Sequence, residues 1–146
     1  VCSSDLTLFT LPFYLKKDKD IRVAQYNSIW HNFVEKDIAK YVDQGKIVVI
    51  DVTADWCVTC KINKIRVLEN SRILERLKQD DIIAMQADIT RPRPEVMQFM
   101  AKYKRYAIPF NVVFGPNAKS GILTSELPSV EELLDIINKS KEISNN

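Results

Sequence analysis

The spacing of hydrophobic positions changes several times along the chain, and each change marks an element. Ile47 to Thr53 is a continuous apolar run interrupted by one acid, Asp51, the pattern of a central strand covered on both faces. Ile82 to Ile89 and Phe110 to Phe114 are further strand candidates. Gly115-Pro116-Asn117 then makes a turn, with Ile122 to Leu127 as the hairpin partner. Helical spacing fills the gaps. Phe33, Val34, Ile38, Tyr41 and Val42 recur on one face, and Gly45 closes that helix. A helix opened by Cys57 turns Ile62, Ile65 and Leu68 inward, and Asn70-Ser71 breaks and recaps it before Ile73, Leu74 and Leu77. Pro94 suits a first helical position, with Val96, Phe99, Met100 and Tyr103 following at core spacing. Ser129-Val130-Glu131-Glu132 is a capping box for a last helix whose Val130, Leu133, Leu134 and Ile137 point inward. Ile21 to Ile29 has β-like residues with poor alternation and reads as a short edge strand. The order is β-α-β-α-β-α-β-β-α. Its alternating first half gives parallel strands and its late hairpin antiparallel ones, an α/β fold with a mixed central sheet covered by helices.

Composition narrows this picture. With 146 residues, 46% of them hydrophobic, the chain has the material for one core. The net charge is only +2 and the signs are interleaved, so no basic surface for nucleic acid is expected. Leu8 to Leu15 is apolar but stops at Lys16-Lys17-Asp18-Lys19-Asp20. That is shorter than the roughly 20 residues a bilayer needs, and it lacks the basic leader and small-residue cleavage site of a signal peptide. Packed surface and the end of a transmembrane helix both remain open for it.

The candidate chemistry lies at Cys57-Val58-Thr59-Cys60, where a strand runs through a short turn into a helix. A helix N-terminus offers free N–H groups and partial positive charge, which favour a thiolate. Cys57 at that end is positioned as the exposed nucleophile, with Cys60 one turn further on the same face to close a short disulfide. A structural zinc site needs about two more ligands, and only Cys2 and His31 remain, in no ligand-like spacing. No metal or other cofactor is therefore expected. Asp51 stands in a run that should be buried, where burial raises a carboxyl's pKa; an acid reaching water at a strand edge is the alternative. Asp55, next to Cys57, opposes the helix dipole, so the thiol is expected to be less acidic than in strong oxidants.

Ile47 to Lys61, with its Thr-Ala-Asp-Trp-Cys-Val-Thr-Cys-Lys stretch, resembles the active-site segment of the thioredoxin superfamily. It is most similar to the C-terminal periplasmic domain of DsbD-type transmembrane disulfide reductases. Ala107-Ile108-Pro109-Phe110 is the second anchor, and the resemblance covers roughly Trp30 to Lys139. It implies a thioredoxin-like fold and a Cys57–Cys60 redox pair. Asp51 is implied to lie beneath the pair and help take the proton from the second thiol. Pro109 is implied to be cis, leaving the Ile108 backbone to pair with a partner segment, and Trp56 to offer a contact surface.

The implied activity is protein-disulfide reduction by a monomeric domain on the periplasmic side of the bacterial inner membrane, with a disulfide oxidase or isomerase, a stand-alone thioredoxin and a redox-inert binding module of the same fold as the alternatives. A membrane-embedded dithiol would donate electrons, and periplasmic protein disulfides would accept them. Residues 21–146 would form this domain. Residues 1–20 would be a separate segment, the end of a transmembrane helix preceded by Val1 to Leu6, which resembles translated adapter sequence and takes the weight off Cys2. Two departures stand out: Lys64 occupies a position where such domains often have an acid, and Phe110 replaces the small hydroxyl residue common after the proline.

Overall fold

A computed structural model describes the backbone of residues 2–141 and their side chains except those of residues 2–11 and 13. The expectations for Val1 and for the Cys2 thiol lie outside the described residues. Five strands form one sheet in the order β1-β3-β2-β4-β5: β1 Trp30–Asn32, β2 Ile47–Thr53, β3 Ile82–Asp88, β4 Phe110–Gly115 and β5 Ala118–Leu123. β1 and β2 run parallel to β3, whereas β4 is antiparallel to both β2 and β5. The sheet is mixed, as the order of elements predicts.

Alternation along β2 divides the interior. Ile47 and Val49 face one cluster, closed by Val67 and Leu68, by α4 (Ser71–Leu77) and by α6 (Val130–Lys141). Val48, Ile50 and Val52 face the other, closed by α2 (Glu35–Asp43) and α5 (Pro94–Ala101) through Ile38, Val42, Val96, Phe99 and Met100. Helices thus cover both faces, which is why β2 carries no alternation in its sequence. Gly45 sits just past α2 at φ 82°, the left-handed conformation a helix end uses. Gly115 is required by proximity: a Cβ there would meet the Ser140 carbonyl oxygen of α6 at 2.3 Å.

Three expectations are corrected. Ile21 to Ile29 is the last part of a helix, α1 (Cys2–Ile29), and the edge strand is instead the three-residue β1 that follows. Helical spacing wins there because Tyr26 and Ile29 both reach the first cluster from one face, while Ile21 stays exposed. The hairpin partner lies earlier than Ile122 to Leu127, since β5 resumes at Ala118 directly after Pro116 and Asn117 and ends at Leu123. Ile62 and Ile65 do not face the core, being 41% and 68% exposed. The helix opened by Cys57 is α3 (Val58–Asn63), and a π-helical turn over Lys64–Leu68 follows it. The inward face runs through Cys60, Asn63 and Val67, at i, i+3 and i+7, with Leu68 buried as expected.

α1 continues through residue 20 without interruption. Among the described residues no helix is long and apolar enough to cross a membrane.

Candidate active site

The site is built where β2 ends. Ala54 accepts the N–H of Cys57, closing the turn that brings the chain into α3. Asp55 N–H donates to Thr90 Oγ1 at 2.9 Å, pinning the Trp56 loop to the β3–α5 connection. Cys57 occupies the N-cap of α3, and its Sγ accepts the Cys60 N–H at 3.1 Å. Cys57 and Cys60 form a disulfide, with Cα atoms 5.2 Å apart.

Both cysteines are buried, 6% and 4% exposed, so the expected contrast between an open first sulfur and a shielded second is absent from this oxidised form. Ala54, Ile89 and Ile108 pack over the pair and cover both. The asymmetry lies in what each meets. Cys57 Sγ lies 3.9 Å from the Ile108 carbonyl oxygen, and the Ile108–Pro109 bond is cis. Beside this loop opens a cavity of about 350 Å³, lined by Trp56, Ile89, Met97, Tyr106 and Ile108, with Arg105 at its edge. Its lining is mainly apolar, and Trp56 is 63% exposed.

Asp51 is buried in the centre of the sheet, which excludes the alternative of an acid reaching water. Register puts it directly between two amides, Gln86 on β3 and Asn111 on β4. Asn111 Nδ2 donates to Asp51 Oδ1 at 2.7 Å, and Gln86 Nε2 donates to Oδ2 at 2.8 Å. Asn63, one turn after Cys60 on α3, donates to Asn111 Oδ1 at 2.9 Å. Asp51 is thereby linked to the cysteine-bearing helix through two amides. On the other side Gln86 Nε2 donates to Tyr26 Oη of α1 at 2.6 Å.

Burial raises the Asp51 pKa above the ordinary carboxylate range, and the two amide donors and nearby Lys64 oppose that rise. Burial and the Asp51 charge likewise push the Tyr26 hydroxyl up. Lys64 lies over the Tyr26 ring, 4.5 Å from its centroid, and pairs with Glu69 at 3.8 Å. His31 is an exposed β1 residue. Among the described residues no cluster of His, Cys, Asp and Glu could hold a metal.

The sequence reading missed Asn63, Gln86, Asn111 and Tyr26. The available signal was that β3 and β4, like β2, each carry a polar residue inside an apolar run. Only register shows that the three meet.

A five-stranded mixed sheet with a disulfide at a helix N-terminus, facing a cis-proline loop, defines a thioredoxin-type protein. A family model described as Thioredoxin-like matches residues 29–116, and the chain belongs to that family. The chain is 34% identical over 74 residues to a Thiol:disulfide interchange protein DsbD of Pseudomonas fluorescens, covering 51% of this chain and 12% of that protein. It is 27% identical over 92 residues to DsbD 1 of Pseudomonas aeruginosa, covering 60% of this chain and 15% of that one. The matched region is thus a small part of each relative's length. Among solved structures, the oxidised C-terminal domain of Neisseria meningitidis DsbD superposes with a TM-score of 0.52 at 18% identity, covering 84% of this chain and 95% of that one. The first thioredoxin domain of mouse Protein disulfide-isomerase A4 gives 0.58 at 16% identity, covering 81% and 79%.

Proposed function

We propose that this chain is a thiol:disulfide oxidoreductase that works as a protein-disulfide reductase. The observation that carries the reading is the Cys57–Cys60 disulfide at the start of α3, beside the Ile108–Pro109 loop. In the reduced protein the Cys60 N–H and the helix N-terminus stabilise a Cys57 thiolate. Cys57 attacks one sulfur of a partner disulfide, and the partner's other sulfur leaves as a thiolate that takes a proton from solvent. Cys60 then gives its proton to Asp51 and attacks Cys57 Sγ. The mixed disulfide breaks, the second partner sulfur leaves as a thiolate that takes a proton from solvent, and Cys57–Cys60 is oxidised. One dithiol and one disulfide have exchanged two electrons.

The Ile108 backbone and the Trp56-lined cavity receive the segment that carries the partner disulfide. Exposed Val58, Ile62 and Ile65 on the outer side of the cysteine helix extend that contact surface. In keeping with relatives named as DsbD, the electrons come from a membrane-embedded dithiol and pass to disulfides on the periplasmic side of the inner membrane. A reduction potential near the roughly −270 mV of thioredoxin, with turnover of insulin disulfides, supports the reading. A value near the roughly −120 mV of strong oxidases would reverse the direction of flow and overturn it.

A further inference from the structure

Asp51, Gln86 and Asn111 form a row across the three central strands, on the sheet face that lies under the cysteine helix. Both Asp51 oxygens receive an N–H, at 2.7 and 2.8 Å. Asn111 Oδ1 accepts from Asn63 Nδ2, which leaves its own Nδ2 directed at Asp51. Asn63 is itself buried, beside a cavity of about 110 Å³. Donors held in this way favour the carboxylate over the carboxylic acid, against the cost of burial.

We propose that Asn111, oriented by Asn63, and Gln86 are positioning residues for the redox reaction, clamping Asp51 so that it is ready to receive the Cys60 proton. The proposal rests on the role given to Asp51 above. A buried acid without the clamp stays protonated to higher pH and cannot accept a proton there. The other titratable groups facing this site are Tyr26 from α1, Lys64 and Glu69 from the turn above it, and the cysteine pair. Lys64 favours the Asp51 charge, and Tyr26 stays neutral throughout the working range. The amides themselves do not titrate, so they set the Asp51 midpoint without adding one of their own.

The test follows the Asp51 carboxyl carbon by NMR against pH in the oxidised full chain, alongside the pH profile of mixed-disulfide release by Cys60. Asn111→Leu and Gln86→Met keep the shape and remove one donor each. Each is expected to raise the Asp51 midpoint by about one pH unit, slowing release about tenfold below it. In the Asp51→Asn background neither change should move the release profile. The unsubstituted protein provides a reading that needs no variant to fold: the Asn111 side-chain amide signals should titrate with the Asp51 midpoint. An Asp51 midpoint unchanged in a folded variant, or Asn111 amide signals indifferent to it, overturns the clamp. A shifted midpoint with a release profile that neither these variants nor Asp51→Asn alters overturns instead the Asp51 proton role, and with it the positioning role.

Discussion

Cys57 Sγ lies 3.9 Å from the carbonyl oxygen of Ile108, a residue that with Trp56 lines the neighbouring cavity. A partner segment docked in that cavity therefore meets both Ile108 and Trp56. Trp56→Ala removes an exposed wall and leaves the buried pair packed, so unfolding free energy should change by about 0.5 kcal/mol or less. KM toward a protein disulfide should rise severalfold, while the rate toward a small linear disulfide stays near that of the parent. Steady-state kinetics with the two substrates separate these effects.

Asp51→Asn should slow release of the mixed disulfide by about 10²-fold or less near neutral pH, with a smaller effect on the first attack. Single-turnover rates from pH 6 to 9 read both steps. Stability should hold or rise. The sign follows from linkage: Asp51 has a raised pKa in the fold, so the folded state binds its proton more tightly. Parent stability then falls as pH rises above about 4, until the raised pKa is passed. The variant lacks that slope and should gain on the parent over the same range, as denaturant midpoints at several pH values would record.

Asp81 behaves oppositely. Arg76 donates to both its oxygens, at 2.8 and 3.2 Å, and Lys141 of α6 donates to Oδ2 at 2.9 Å. The hydrogen bonds from Arg76, more than any other factor, lower its pKa to about 2. A lowered carboxyl contributes stability that is complete above about pH 4 and is lost as pH falls through 2. Asp81→Asn should be less stable than the parent at pH 7, and the two should converge near pH 2. Urea midpoints across that range check the convergence.

Ile65 shows where the sequence ran out. Helical spacing assigns it to the core, and a polar substitution there would cost about 2–5 kcal/mol. The structure exposes 68% of it, because the inward face of this stretch runs through Cys60, Asn63 and Val67. Ile65→Gln should therefore alter the unfolding free energy by about 0.5 kcal/mol or less. A denaturant titration decides between the two values.

The strands were legible where burial on both faces left an unbroken apolar run, as in Ile47 to Thr53. The cysteine pair was legible from its place between a strand and a helix, and Pro109 from the family resemblance that its neighbours share. Asn63, Gln86 and Asn111 were not, because their meeting with Asp51 depends on register across β2, β3 and β4. The end of α1 was misread because Ile21 to Ile29 is β-like in composition, although only Tyr26 and Ile29 reach the core.

The central claim is that Cys57 attacks and Cys60 resolves. Its most direct test is to mix reduced Cys60→Ser with a disulfide-bonded protein substrate and map the product by mass spectrometry without reductant. A stable covalent complex joined through Cys57 is the predicted result, with Cys57→Ser giving neither complex nor turnover. A complex joined through Cys60 in the Cys57→Ser protein at the same yield, or no complex with either variant, would contradict the account.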